Sequence, residues 1–224
     1  MTGKTFKIIT IDGPSGAGKS TLAKLLASRS GYMYIDSGAI YRGIAYAFKT
    51  RKNNEPIEKL LEGLPLAFEF GKTTHVKLAG QDISDAIRSP EISLLASSLS
   101  QKPHVRDYAN RIQRDLAKNA NVILEGRDTG SVVFPDADMK FYLDARPEER
   151  AHRRFSELES KGAETRLDTV RNEMEKRDQD DSRRDIAPLV VPDGAIVIDT
   201  TGIDIDGVLN AILEHIKKKD GNPA

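Results

Sequence analysis

The residues most able to do chemistry lie close to the start of the chain, in Gly13-Pro14-Ser15-Gly16-Ala17-Gly18-Lys19-Ser20. Two glycines five apart, followed at once by Lys and Ser, make a loop whose backbone N–H groups can turn inward around a phosphate. A helix beginning at Lys19 adds the partial positive charge of its N-terminus. Lys19 reaches the β and γ oxygens of a triphosphate, and the Ser20 hydroxyl is suited to Mg²⁺. Asp12, just before the loop, is suited to aiding the cation or to fixing the loop. The pattern is complete, and it predicts phosphoryl-transfer or nucleotide-hydrolysis chemistry. It leaves the acceptor open, because motors, switches and small-molecule kinases all use such a loop. The Asn-Lys-x-Asp string with which switches read guanine is absent.

A kinase needs a second grip opposite the first, and arginine grips phosphate in a bidentate fork. Arg42 follows Asp36-Ser37-Gly38-Ala39-Ile40-Tyr41, and Arg127 falls in Glu125-Gly126-Arg127-Asp128. Each sits in a polar cluster just past an apolar run, where α/β sheets place their sites. The plainer alternatives are a solvated arginine, a helix cap at Asp36 or Ser37, and a Glu125 or Asp128 held by Arg127. Arg106 and Arg111 follow Pro103 on a helix, where a solvated face is the ordinary outcome. Further on, Arg150, Arg153 and Arg154 fall at i, i+3 and i+4, on one helix face. Gly162 interrupts that helix and Arg166 starts another. Such a hinged pair can close over a triphosphate, expel water and neutralise charge; it can equally be a solvated charged hairpin. A dense charged cluster follows at Arg177–Arg184.

The elements that must position these groups are short. Phe6–Ile11, Tyr32–Ile35, Asn121–Leu124, Met139–Leu143 and Ala195–Ile198 read as apolar strands, alternating with helices whose apolar residues recur at helical spacing. That alternation predicts a parallel sheet covered on both faces. Leu66–Phe70 and Val76–Leu78, separated by Gly71-Lys72-Thr73 and closed by Gly80-Gln81-Asp82, read as a small β insertion. Residues 49–62 read as a charged connection. Pro147 begins the arginine-bearing helix without a Ser, Thr or Asp before it, so that helix either frays or takes Asp144 as its cap.

Composition removes several classes. The 34 basic and 34 acidic residues cancel, so the surplus of positive charge typical of nucleic-acid-binding domains is missing. Cysteine is absent, which excludes disulfides and thiolate metal sites. No run is long enough to span a membrane, and the order of a signal peptide is missing. A soluble, cytoplasmic chain is expected.

Together, ITIDGPSGAGKS at the start, DSGAIYR at 36–42, EGRDTGSVVFPDA at 125–137, RPEERAHRR at 146–154 and RRDIAPL at 183–189 resemble the bacterial cytidylate kinases, a family of nucleoside monophosphate kinases. The resemblance runs through nearly the whole chain. It implies an α/β P-loop fold with a five-stranded parallel sheet flanked by helices (1–62, 91–145 and 186–224). It also implies a small β-containing monophosphate-binding insertion (63–90) and a helical lid with its charged continuation (146–185). By that resemblance ATP with Mg²⁺ is the donor, CMP or dCMP the acceptor, and the enzyme a monomer.

The ATP-binding set is Asp12, Gly13, Pro14, Ser15, Gly16, Ala17, Gly18, Lys19, Ser20 and Thr21, with Arg153 from the lid. Ser37, Arg42 and Arg127 hold the CMP phosphate, while Ser97, Arg106, Asp128 and Arg184 read cytosine. Arg177 and Asp181 approach the ribose. Lys19, Arg127, Arg150 and Arg154 are the implied catalytic groups. Two other readings stand beside this one: a kinase for a different phosphate acceptor, and a nucleotide-driven switch.

Overall fold

The computed structural model describes residues 7–51, 55–70, 74–160, 162–219 and 221. Along the chain these form β1 (Ile8–Asp12), α1 (Lys19–Ser30), β2 (Met33–Asp36), α2 (Ser37–Thr50), α3 (Ile57–Glu62), β3 (Leu66–Phe70), β4 (Thr74–Leu78), β5 (Gln81–Asp82), α4 (Pro90–Leu99), α5 (Pro103–Ala117), β6 (Val122–Glu125), β7 (Met139–Asp144), α6 (Pro147–Ser160), α7 (Leu167–Ser182), β8 (Ile196–Asp199) and α8 (Ile205–Lys219). A 3-10 turn at Ala86–Arg88 and a π-helical turn at Thr129–Val133 complete the set.

Five strands pair in parallel in the order β2-β6-β1-β7-β8. Successive side chains on a strand point to opposite faces, so β2 and β6 feed two cores, while β7 and β8 feed one. Val122 and Leu124 join Ile35 in a cluster with Ile40 and Ile44 of α2 and Val105 and Ala109 of α5. Ile123 between them joins Ile9, Ile11, Phe141 and Leu143 under α1 and α8. Burial on both faces explains why β6 reads as an unbroken apolar run, whereas β8, at the sheet edge, leaves Val197 exposed. The smaller sheet, β3-β4-β5, is antiparallel and stands on α2; Val76 and Leu66 lie close to Gly43 there, so that even an added Cβ would be a tight fit.

The order of strands positions the site. Chain direction diverges at β1, which lies between β6 and β7, and ligands bind in the crevice beyond the carboxyl ends at such a point. There the loop after β1 meets Glu125–Asp128 after β6, and Asp36 pairs in register with Glu125.

Four elements differ from the sequence reading. Residues 57–62 form α3, whose buried Ile57 and Leu61 were outweighed by their charged neighbours. The strand before Gly80-Gln81-Asp82 ends at Leu78 as expected, but that segment also holds a further strand. Ala79 and Gly80, at φ 49° and 83°, turn the chain back so that Gln81–Asp82 pair with β4. The segment after Asp128 is the π-helical turn. Helix α7 runs on to Ser182, so most of the charged cluster at 177–184 is helical. The turn at Gly71-Lys72-Thr73 and Phe6 lie outside the described residues. Asp144 does not cap α6: its Oδ1 accepts from Ala145 N at 2.8 Å, while Thr201 Oγ1 accepts from Arg146 N at 2.9 Å and anchors the entry to the helix.

Two cradle glycines separate steric from conformational constraint. Gly13, at φ +144°, lies so close to the Leu143 carbonyl of β7 that an added Cβ would overlap it, whereas Gly18, at φ +88°, has open space. Gly13→Ala is therefore expected to cost about 3 kcal/mol or more, and Gly18→Ala about 1 kcal/mol. Denaturant unfolding of both variants measures this, and equal losses would contradict the contact with β7.

Candidate active site

Gly18 in left-handed conformation opens α1 with no side chain capping its first turn. The loop's N–H groups and the helix terminus thus converge on one point. Lys19 is buried, and its Nζ donates to Pro14 O at 2.7 Å. Burial, then the nearby Arg127 charge, lowers its pKa to about 7, against the pull of Glu125, Asp12 and Asp178. Ser20 Oγ donates to Glu125 Oε1 at 2.8 Å, and the Tyr34 hydroxyl donates to the same oxygen at 3.2 Å. Asp12 is fully buried beneath the loop; it accepts from Thr129 N, Thr129 Oγ1 and Gly130 N at 2.9, 2.8 and 2.7 Å. Burial raises its pKa despite these donors. Its oxygens are committed to the π-helical turn, which fits the loop-fixing role. Thr21 is exposed and Ala17 buried.

Two arginines cross-link the loop to distant elements. Arg127 donates to Gly13 O at 3.1 Å and Ser15 Oγ at 2.8 Å, while its Nε donates to Asp181 Oδ2 of α7 at 2.9 Å. Burial opposes its charge, but Asp181 and Asp178 prevail and raise its pKa. Arg150 of α6 donates to Ser15 O at 2.8 Å, to Ala145 O at 3.0 Å and to Asp178 Oδ2. Arg177 of α7 stands among the charges of Arg127, Asp181, Arg42 and Asp178. Desolvation by the surrounding protein, then Arg127, with Arg42 adding to it, lowers its pKa. Arg42 donates to Asp36 Oδ2 at 3.0 Å, and its Nε is buried without a partner. Asp36 also caps α2 by accepting from Ala39 N at 2.9 Å. Ser37 Oγ donates to Glu125 O at 2.7 Å.

A second pocket adjoins this one. Asp128 is buried and accepts from Arg106, whose other nitrogen donates to Ser100 O at 3.3 Å. Burial raises the Asp128 pKa, while Arg106 and Arg184 restrain it. Arg184 reaches Ser100 Oγ at 3.4 Å and keeps Nη2 buried and unpaired. Tyr41 lies with its ring 5.8 Å from the Arg106 guanidinium and its hydroxyl buried without a partner. Ser97 sits one turn before Ser100, half-buried. Arg153 and Arg154 stay apart from this assembly: Arg153 engages Glu149, Thr200 Oγ1 and Thr200 O, and Arg154 engages Glu157 on the surface.

The donor set suits a hard cation. A hydroxyl and a carboxylate oxygen, Ser20 Oγ and Glu125 Oε1, meet at the head of α1, and Mg²⁺ is bound by few protein oxygens together with phosphate and water. Among the described residues no group of three or more Asp, Glu, His or Cys could hold a metal ion.

Four residues of the assembly escaped the sequence reading: Tyr34, Tyr41, Ser100 and Asp178. Tyr41 and Asp178 each stand beside a residue that did attract notice. Tyr34 and Ser100 carry no local signal, being a tyrosine in an apolar strand and a serine past a helix end.

The lowered Lys19 pKa has a signed consequence. Below about pH 7 the lysine is charged whether folded or unfolded, and its burial cost is present in full. As pH rises from about 7 toward 10.5 only the unfolded chain holds the proton, so stability rises and the cost disappears. Lys19→Met should therefore stabilise the nucleotide-free protein, on the order of 3 kcal/mol near pH 6.5, with the gain fading by about pH 10. A wild-type-to-variant difference that stays constant across this range would mean an ordinary lysine.

Comparison with known proteins bears on these features. The family model described as cytidylate kinase matches residues 9–218. The cytidylate kinase of Geobacter sulfurreducens is 45% identical over 223 residues, covering 97% of this chain and 96% of that one. That of Shewanella loihica is 46% identical over 219 residues, covering 95% of each. Among solved structures, a shikimate kinase from Acinetobacter baumannii superposes with a TM-score of 0.51 at 17% identity, covering 96% of this chain and 95% of that one, a likeness of fold alone. With its family model spanning the sheet, the loop and both arginine clusters, and with near-full-length relatives, the chain belongs to the cytidylate kinase family.

Proposed function

We propose that this kinase transfers the γ-phosphoryl group of ATP directly to CMP or dCMP, giving ADP and CDP or dCDP. The family's reaction is phosphorylation of a nucleoside monophosphate by ATP. The observation that carries the finer reading is the double engagement of Arg127. One arginine touches the donor loop at Gly13 and Ser15, is held by Asp181 of α7, and adjoins Asp128 in the second pocket. A guanidinium so shared stands between a donor phosphate on the loop and an acceptor phosphate beside Arg42. Charge developing on the transferring group is met there by Lys19, Arg127 and Arg150. The nucleophile is already a phosphate oxygen, so the chain needs no strong general base and no covalent intermediate. Its contribution is alignment and neutralisation.

Mg²⁺, when bound with ATP, would neutralise phosphate charge, and Ser20 and Glu125 are the residues that would hold it. Residues 63–90 would act with Arg42 and Ser37 on the monophosphate, and α6–α7 as the lid. Arg153 and Arg154 would join the phosphates only once that hairpin moves, since each now has another partner. A monomeric, cytoplasmic enzyme completes the reading.

Cytosine offers an N4–H₂ donor and an N3 acceptor, and uracil the reverse. A carboxylate accepts from N4 and an arginine donates to N3. Asp128 and Arg106, buried side by side, supply that pair, and a buried carboxylate facing uracil O4 would be repelled. Asp128→Asn should cost CMP about 1.5–3 kcal/mol, on the order of 10- to 150-fold in kcat/KM, while UMP loses less or improves. Steady-state kinetics with both acceptors, on protein shown to be folded, decide this. Equal loss for CMP and UMP would mean that Asp128 merely orients arginines.

A further inference from the structure

Asp178 has no part in the reading above, yet it lies on the donor cradle. Its Oδ1 accepts the backbone N–H of Ser15 at 3.0 Å. Its Oδ2 accepts from Arg150 Nη1, the same nitrogen that donates to Ser15 O at 2.8 Å. Its charge also favours the protonated forms of Lys19 and Arg127. A loop N–H, the cradle lysine and two arginines are the groups that a nucleotide's phosphate oxygens would engage. A carboxylate from α7, 163 residues further along the chain, engages or faces all of them, and its side chain is only 15% exposed.

We infer that Asp178 is an internal stand-in for a phosphate: it occupies the cradle of the free enzyme, keeps Arg150 in place, and must withdraw when ATP enters. The inference rests on the reading of this loop as the ATP site. The physical reason is competition. The Ser15 N–H is a single donor and cannot serve both a carboxylate and a phosphate oxygen at full strength. Two anions held close in a water-poor cleft repel each other strongly. In the free enzyme the carboxylate is favourable, because it relieves the crowding of Lys19, Arg127 and Arg150. In the loaded enzyme the triphosphate supplies that relief, and Asp178 becomes the surplus charge. Arg150, released from it, is then free to turn from carboxylate to phosphate. The opposite role is a permanent clamp, in which Asp178 keeps hold of Arg150 while ATP is bound. The two differ in sign: removing a competitor tightens ATP binding, and removing a clamp weakens it.

Asp178→Asn keeps the shape and removes the charge. Titration calorimetry of the full chain with ATP, with and without Mg²⁺, and with inorganic tripolyphosphate should give Kd values roughly 3- to 20-fold tighter than wild type. The Tm of the nucleotide-free variant should fall, and the rise in Tm on adding ATP should grow. Unchanged or weaker ATP binding by a folded variant overturns the inference. If wild type binds neither ATP nor tripolyphosphate at millimolar concentration, the ATP reading itself fails, and this inference with it. Should the variant not fold, a crystal structure of wild type with a non-hydrolysable ATP analogue decides. A phosphate oxygen on the Ser15 N–H with Asp178 withdrawn supports the inference, and Asp178 still bonded to that N–H contradicts it.

Discussion

Crowding of positive charge is the constraint on which the rest of this structure depends. Lys19, Arg127 and Arg150 converge on one loop, with Arg42 and Arg177 across the cleft, in surroundings that desolvate several of them. Like charges in such a medium repel far more strongly than in water, and the Lys19 pKa is lowered first by burial and then by the Arg127 charge. The fold tolerates the cluster because Lys19, Arg127, Arg150 and Arg42 each have an internal partner. Asp178 faces Arg150, Asp181 faces Arg127, and Asp36 faces Arg42, while Pro14 O takes the lysine. These partners come from different elements, so one electrostatic requirement ties α7, α2 and the loop after β1 together. A site balanced in this way is suited to anions brought from outside, and two phosphate-bearing substrates meet that description.

The rest of the fold can be understood as holding that cluster in register. Parallel pairing of β1 with β6, and of β2 with β6, brings Gly13, Glu125 and Asp36 to one edge of the sheet. Buried Asp12 fastens the π-helical turn below, and with it the stretch from Asp128 onward. Glu125 uses both its side chain and its backbone. The carboxylate meets Ser20 on the donor side, and the carbonyl meets Ser37 on the acceptor side. Small displacements of β6 would therefore be felt at both substrates, consistent with a reaction that relies on alignment.

Much of this was legible in the residues, for reasons that are local. The cradle glycines, Lys19 and Ser20 announce themselves because backbone geometry demands those types at those spacings. The central strands were readable because burial makes them largely apolar, and β7 and β8 because their core-facing residues are apolar. What escaped depends on contacts made across the chain. Helix α3 is six residues long, with Ile57, Leu60 and Leu61 set among Glu58, Lys59 and Glu62, and strand β5 is two residues long. Tyr34 looks like any strand aromatic until β6 brings Glu125 beside it. Asp178 looks like one charge in a charged run until α7 docks it on Ser15. Arg184 is a case of its own: it donates to Asp181 O and reaches Ser100 Oγ, contacts that nothing local in the chain announces.

The central claim is that the cationic cluster aligns two phosphate-bearing substrates for direct transfer. The most direct measurement follows label from [γ-³²P]ATP in the presence of CMP, dCMP, UMP, AMP, shikimate or no acceptor. Appearance of label in CDP and dCDP, matched by ADP release and nearly absent without an acceptor, is the expected result. ADP release at the same rate with no acceptor present, or equal labelling of every acceptor offered, would contradict the account.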